Sequence, residues 1–254
     1  MTDLTRSALL ACVVLAAGVP CWAGDDTLPA QKLAAAHVPV EHLPEPLRTR
    51  VADLIAGPAL FSRGPVETFP CRPAVYVWLL DNPQWNFHAW RAKGVKCATV
   101  ERQDDGLFVG TDPQGNEFRW LLIHSRPGLR VWYGEGEGRP LPLMPAVSLR
   151  AVVLLRYQEV KAPDGQVGIR HRAEVFAQFD GKTAALVAKL CGMTIEGAGK
   201  KAAEQVGLFF SGMAWYLSEN PDWAVRHLRP AGGPRSAELR QLDAILFPTA
   251  ADPS

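Results

Sequence analysis

Three side chains that can hold protons or form hydrogen bonds, His124, Tyr157 and His171, lie inside otherwise apolar alternating runs. Each has apolar neighbours at every second position: Phe118, Trp120 and Leu122 for His124, residues 149–155 for Tyr157, and Ile169 and Ala173 for His171. Alternate residues of a strand point to one side of a sheet, so we expect all three on the interior side. A few oriented polar groups in an apolar wall are typical of a small-molecule site.

Each of these groups also has a structural interpretation, as a core polar residue whose hydrogen bonds are satisfied by backbone or water. Acid–base chemistry would pair His171 with a carboxylate, Glu101 or Glu174. Glu174 falls on the opposite strand face from His171, and nothing in the sequence places Glu101 beside it. The sequence therefore assigns no catalytic residue.

The motifs of well-known catalytic and cofactor sites are missing from the sequence. It has no G-x-S-x-G, no H-E-x-x-H, no Walker loop and no G-x-G-x-x-G after a strand. The run "GEGEG" at 134–138 is expected to be a hairpin or loop, with carboxylates that would repel phosphate. His37 and His42 lack the spacing of a helical metal pair. We therefore predict no metal and no cofactor.

The elements that must position these side chains are strands joined by tight turns. Alternation and Gly-containing turns predict six strands, at 95–103, 107–111, 116–125, 129–135, 146–160 and 166–180. A first strand within 59–69 is interrupted near Gly64 and Pro65. Between this strand and the six lie two short helices separated by Asn82 and Pro83. Arg150 and Arg156 point to the side of the sheet opposite its apolar face.

Beyond residue 181 the apolar period changes from two to 3.6, which predicts helices at 182–193 and 198–219. The stripe on the second includes Val206, Phe209, Phe210, Met213 and Leu217, which dock it on the sheet. Phe209 and Met213 are also expected to contact a cavity, because a thioether adapts to varied shapes.

The two ends of the chain differ in composition from its middle. Residues 24–58 form a proline-rich leader with one short helix carrying Leu47, Val51 and Ile55. Residues 222–254 form a tail, partly disordered, with a short helix at 236–247. Residues 1–23 resemble a signal peptide, with an apolar run too short to span a bilayer, so we expect a secreted or periplasmic protein. A retained membrane anchor is the alternative.

Charge and cysteine content narrow the classes of partner. The chain has 27 basic and 26 acidic residues with no basic cluster, which argues against nucleic acid. Removal of the first 23 residues leaves Cys71, Cys97 and Cys191, which allow either one disulfide and a free thiol or three buried thiols.

The order of strand, two helices, six-stranded meander and long helix resembles that of the START-like (helix-grip) superfamily, in its polyketide cyclase-like and coenzyme-Q-binding bacterial branch. Two segments carry the likeness, "VETFPCRPAVYVWLLDNPQWNFHAW" and "AGKKAAEQVGLFFSGMAWYLSENP", within about residues 59–221. The resemblance implies an α+β fold, a seven-stranded curved antiparallel sheet wrapped around a C-terminal helix, with an apolar cavity between them.

The resulting hypothesis is an exported protein that binds an apolar small molecule or lipid in that cavity and is able to make transient membrane contact. Its predicted ligand contacts are Trp120, His124, Tyr157, His171, Phe209 and Met213. An enzyme on the same fold, or a protein-interaction module with a filled core, remains as the alternative. The oligomeric state is left open.

Overall fold

The computed structural model describes residues 27–138, 146–162, 164–179, 194–228 and 236–248. The predicted signal peptide, the predicted helix at 182–193 and Cys191 lie outside these ranges. In the described ranges, eight strands form one antiparallel sheet. They are β1 (Leu60–Arg63), β2 (Glu67–Pro70), β3 (Thr99–Arg102), β4 (Phe108–Thr111), β5 (Glu117–Arg126), β6 (Leu129–Gly138), β7 (Val147–Lys161) and β8 (Val167–Phe179).

The strand order is β1-β8-β7-β6-β5-β4-β3, and β2 also pairs with β8. The predicted first strand is therefore one edge strand in two pieces, broken at Gly64 and Pro65 as expected. The break lets the backbone of Gly64 bond to β8, where its N–H donates to the carbonyl of Ala173 (2.8 Å). A Cβ at Gly64 would lie 3.2 Å from the backbone of Ala203, so glycine permits this close approach.

Seven α-helices and one short 3-10 turn occur in the described ranges. They are α1 (Ala30–His37), the turn Val40–His42, α2 (Leu47–Ala56), α3 (Pro73–Asp81), α4 (Pro83–Ala92), α5 (Ile195–Glu219), α6 (Pro221–His227) and α7 (Ala237–Leu246), the turn being counted apart from the numbered helices. Proline opens α3 and α4, where its missing N–H costs nothing. Thr194 caps α5 by accepting from the N–H of Gly197.

The long helix α5 crosses the inner face of the sheet. Phe210, Met213, Ala214 and Leu217 are buried in one cluster with Leu155, Tyr157, Ile169 and Ala173 of the last two strands. Each large apolar side chain buried there stabilises the docking by about 1.5–3 kcal/mol. The α+β helix-grip architecture, with a long C-terminal helix and two short helices after the first strand, is confirmed.

The leader packs on the outer face of the same sheet. Leu33, Val51 and Leu54 are fully buried against outer-face residues of β6, β7 and β8, among them Leu154 and Phe176. Both faces of these strands are therefore covered. The leader is part of the fold and extends the compact unit toward residue 27.

Arg156 differs from its expected place on a solvent-facing side. Together with Glu174 it is buried on the outer face, and its Nε donates to Glu174 Oε2 (3.3 Å) while its Nη2 donates to Oε1. The leader covers this face, so the arginine there needs a carboxylate partner. Arg150, by contrast, is half-buried near the rim.

The C-terminal tail also contributes to the core. Leu239, Leu242 and Leu246 of α7 are buried in the same cluster as α3 and α5. The indole N–H of Trp78 donates to the carbonyl of Glu238 (3.0 Å), which ties α3 to α7. The predicted short helix is present, and it is a packed element, so the expectation of a loose tail does not hold for residues 237–246.

Candidate functional site

The inner face of the sheet has a closed end and an open end. Cross-strand pairs of β7 and β8 form rows across the inner face. Tyr157 pairs with His171 toward the closed end, and Leu149 pairs with Phe179 at the open end. Side chains of one row lie side by side on the same face. The two predicted polar groups thus meet in one row, away from the open end.

At the closed end, His171 is bonded through both ring nitrogens. Its Nδ1 lies 2.6 Å from Tyr76 Oη and its Nε2 lies 3.0 Å from Glu67 Oε2. Ser211 Oγ is 3.5 Å from the same carboxylate oxygen. When Tyr76 Oη–H donates to His171 Nδ1 and His171 Nε2–H donates to the Glu67 carboxylate, all three groups have hydrogen-bond partners. The sequence analysis missed Tyr76 and Glu67, which come from α3 and the edge strand β2.

The Tyr76–His171–Glu67 network, which we call the relay, is largely buried. His171 is 1% exposed and Tyr76 is fully buried, while Glu67 is the member that reaches the surface. Burial is the main cause that lowers the pKa of His171, and burial likewise raises the pKa of Tyr76 well above its usual value. A substrate could reach the imidazole only if α3 or α5 moved, so the geometry is that of a satisfied core network.

Tyr157 belongs to a second buried network beside the first. Its hydroxyl oxygen accepts from Arg130 Nη1 (3.1 Å), and Arg130 binds both carboxylate oxygens of Asp81 (2.7 and 3.1 Å). The ring of Tyr157 packs edge-on against that of Tyr76, with centroids 5.5 Å apart. Tyr157 therefore links the end of α3 to the sheet, and its polar atom already has a partner.

His124 does not face the interior, contrary to prediction. A β-bulge between Leu122 and His124 shifts the register, so that Leu122 pairs with Trp132 whereas His124 pairs with Val131. Trp132 belongs to the inner cluster and Val131 to the outer one. The extra residue moves His124 to the leader side of the sheet, and alternation alone cannot reveal this.

The run "GEGEG" is strand, contrary to the expectation of a hairpin or loop. It forms the end of β6, with Glu135 and Glu137 on the outer face and glycines on the inner face. Gly134 pairs with Trp120 on one side and Ala151 on the other, and Gly136 pairs with Phe118 and Leu149. The inner face therefore has a strip without side chains between two bulky walls.

We call this region the glycine trough: the inner-face surface over Gly134 and Gly136, flanked by Phe118 and Trp120 of β5 and by Leu149 and Ala151 of β7. Among the described residues, a Cβ at Gly134 would meet only Trp120 Cβ (3.3 Å) and the carbonyl oxygen of Arg119 (3.5 Å) within 4 Å. Both are atoms of the neighbouring strand β5. No described atom of the helical layer lies that close.

Apolar side chains around the trough remain partly exposed, unlike those of the closed end. These are Phe118, Trp120, Leu149, Ala151, Val153, Phe179, Val206 and Phe209. Leu149 is 40% exposed on the inner face. Of the predicted contacts, Trp120 and Phe209 thus border the trough, linked through Phe87, whose ring centroid is 4.5 Å from Phe209 and 5.9 Å from Trp120.

Met213 lies one helical turn beyond Phe209 and is buried in the solid part of the contact between α5 and the sheet. The structure thus connects Trp120 and Phe209 through Phe87, buries Tyr157, His171 and Met213 in the core, and places His124 on the other face. The predicted hollow is therefore absent around Tyr157, His171 and Met213, where buried side chains fill the interface.

A groove of about 700 Å³ lies beside α2, and its lining includes Phe118, Gly136 and Leu149 of the trough. Arg50, Arg119 and Glu135 line it, and Glu135 is bonded to both arginines. Partial burial raises the pKa of Glu135, but the hydrogen bond from Tyr133 and then the two arginines outweigh it and hold that pKa below its usual value. The part of the groove around Glu135 is therefore polar and charge-paired, which suits an apolar ligand poorly, in contrast to its apolar part at the trough.

Cys71 and Cys97 are free thiols. Burial raises the pKa of Cys71 to about 12, so that thiol is a poor nucleophile. In the described ranges, no group of His, Cys, Asp and Glu side chains is arranged to hold a metal ion. The helices in those ranges are also too short or too polar to cross a membrane.

No family model matches the chain, and no curated protein matches it. Similar solved structures include a conserved protein of Geobacillus kaustophilus, with 12% identity, coverage of 61% of this chain and 93% of that one, and a TM-score of 0.40. A hypothetical protein of Helicobacter pylori has 11% identity, 61% and 88% coverage, and a TM-score of 0.36. Ara h 8.0201 has 14% identity, 61% and 97% coverage, and a TM-score of 0.33.

At these TM-scores and identities the likenesses carry no functional information. The helix-grip architecture follows from the strand order and from the position of α5 across the inner face.

Proposed function

We propose that this protein binds an apolar small molecule or lipid chain in the glycine trough, in keeping with the START-like resemblance. The observation that carries the proposal is the contrast along one sheet face. Rows around His171 are filled and buried, whereas rows around Gly134 combine missing side chains with half-exposed aromatic rings. Large apolar side chains left partly exposed around a concavity are typical of ligand sites.

The trough fits an apolar ligand better than a charged one. Within its walls, the described residues at positions 118, 120, 134, 136, 149, 151 and 153 carry no charge. A charged group bound there would lose hydration without gaining an ion pair, which costs several kcal/mol. An apolar ligand would instead gain about 25 cal/mol for each Å² removed from water.

Binding of the neutral fluorescent probe N-phenyl-1-naphthylamine tests the proposal. The wild-type protein should bind the probe, and Leu149→Glu should weaken binding at least ~10-fold, because the probe would desolvate the new carboxylate. Leu208→Glu is the matched control: Leu208 is 43% exposed, close to the 40% of Leu149, but it lies on the outer side of α5. Equal probe affinity in the two variants would contradict the proposal.

We further propose that the protein is exported, on the strength of the signal-like residues 1–23. Fractionation of the native host followed by N-terminal sequencing tests this. A mature chain that begins near residue 24 in the periplasm or medium supports export, and an intact Met1 in the cytoplasm contradicts it. This proposal stands or falls independently of ligand binding.

A further inference from the structure

Trp132 carries a buried hydrogen-bond donor with no partner among the described residues. Its side chain lies on the inner face of β6, is 7% exposed, and stacks on Phe210 with ring centroids 5.9 Å apart and an interplanar angle of 6°. The indole Nε1 is buried and makes no hydrogen bond. Leaving a buried donor unpaired costs about 1–3 kcal/mol, so such a group needs an explanation.

Two other indoles, of buried Trp78 and half-buried Trp90, show how this fold treats the same group. Trp78 Nε1 donates to the carbonyl of Glu238 and Trp90 Nε1 to the carbonyl of Phe209, both at 3.0 Å. Buried tryptophans usually find such partners. Trp132 departs from this pattern, because its Nε1 has no hydrogen-bond partner among the described residues.

Trp132 stands beside the trough. It is two residues from Gly134 on the same strand face, and its cross-strand neighbours are Leu122 and Val153. Residues two apart on a strand are about 6.6–6.8 Å from each other, within reach of an indole ring. Gly134 places no side chain between the trough and Trp132.

We infer that the ligand carries a neutral hydrogen-bond acceptor, such as a carbonyl or ether oxygen, that accepts from Trp132 Nε1. The inference rests on the proposed ligand-binding trough and adds the chemical class of the ligand. A carboxylate is the wrong acceptor, because Arg130, the cation nearest along the inner face of β6, is already bound to Asp81 and Tyr157. The donor thus selects apolar molecules with one neutral oxygen acceptor.

A pair of probes of similar shape tests the hydrogen bond to Trp132 separately from apolar binding in the glycine trough. Benzophenone and diphenylmethane differ by a carbonyl in place of a methylene. Equilibrium dialysis should show that the wild-type protein binds benzophenone ~10-fold more tightly, the value of one satisfied hydrogen bond. Trp132→Phe keeps an aromatic ring against Phe210, removes the donor, and should abolish this preference while diphenylmethane binds as before.

Trp90→Phe is the matched control, because it also removes one indole N–H, from a group that already has a partner. It should leave the benzophenone preference intact. In a ¹H–¹⁵N spectrum, benzophenone should shift the Trp132 indole N–H downfield and diphenylmethane should not, which tests the wild type even if Trp132→Phe fails to fold. Equal affinities of the wild type for both probes would overturn the inference and leave the trough standing. Binding of neither probe would overturn both.

Discussion

Tyr157 and His171 lie directly opposite each other on β7 and β8, and both are buried at the end of the inner face where α3 covers the sheet. Each contacts the ring of Tyr76. Together with Glu67, Arg130 and Asp81 they fix α3 and the edge strand to the sheet through hydrogen bonds. They close one end of the interior, which leaves the glycine trough as the proposed ligand site.

The stability of the fold should depend on the protonation of His171. Burial keeps the folded-state pKa of His171 below its usual 6.5. Below pH 6.5 the unfolded chain binds a proton that the folded chain does not, so this contribution to stability is present above pH 6.5 and is lost as the pH falls through the folded-state pKa. Urea unfolding between pH 5 and 8 should show the free energy of unfolding falling toward acid.

His171→Gln should reduce that slope, because Gln does not titrate. His42→Gln is the control, since the side chain of His42 is 78% exposed and lies outside the relay. A wild-type slope that persists unchanged in His171→Gln would show that the relay does not respond to pH in this way.

Removing only one partner of the buried pair Arg156–Glu174 should strongly lower the free energy of unfolding. Glu174→Leu leaves Arg156 buried without its carboxylate and should lower the free energy of unfolding by about 3–5 kcal/mol. The double variant Arg156→Met with Glu174→Leu should lose less than the sum of the two single variants. Urea denaturation of all four proteins measures this coupling, and strict additivity would argue that the two side chains stabilise the fold independently.

The tail helix α7 should stabilise the whole domain. Leu242→Ala opens a cavity among α3, α5 and α7 and should cost about 2–5 kcal/mol, because Leu242 is fully buried. Leu208→Ala, on an exposed part of α5, should change stability by at most about 0.5 kcal/mol. Thermal melts compare the two. Similar small losses in both would mean that α7 is only loosely attached.

Filling the trough should separate binding from folding. Gly134→Val places a branched side chain over the strip and requires Trp120 Cβ, 3.3 Å from the new Cβ, to move by a few tenths of an ångström. Valine suits a strand better than glycine, so the melting temperature should hold or rise while affinity for N-phenyl-1-naphthylamine falls at least ~10-fold. Gly138→Val, at the strand end beside Asn116, should keep probe binding. Loss of binding in both variants alike would indicate a general effect of β6.

Much of the fold could be predicted because it depends on local periodicity. The alternation of β7 and β8, the proline-separated pair α3 and α4, and the stripe of α5 all follow from burying one face of each element. The interrupted edge strand could be predicted from Gly64 and Pro65. Local periodicity does not show that the leader covers the outer face of the sheet. The residues around Arg156 in the sequence therefore could not predict that Arg156 is buried.

The site was predicted less well, because it depends on register and on distant partners. The bulge after Leu122 moved His124 across the sheet, and Tyr76 and Glu67 reach His171 across 95 and 104 positions of sequence. One signal was available and was misinterpreted: in "GEGEG" the acidic residues alternate with glycine at a period of two, which is the period of a strand. Trp120 and Phe209 were correctly placed on the inner face, and their role in binding stays a prediction.

Native mass spectrometry of the protein purified from its own host, followed by solvent extraction, tests the central claim most directly. The glycine trough should retain a neutral apolar molecule, so the wild-type protein should carry a non-covalent adduct that extraction releases and that Leu149→Glu lacks while Leu208→Glu keeps it. Wild-type protein that shows only the bare chain mass, with no extractable apolar compound above the solvent blank, would contradict the account.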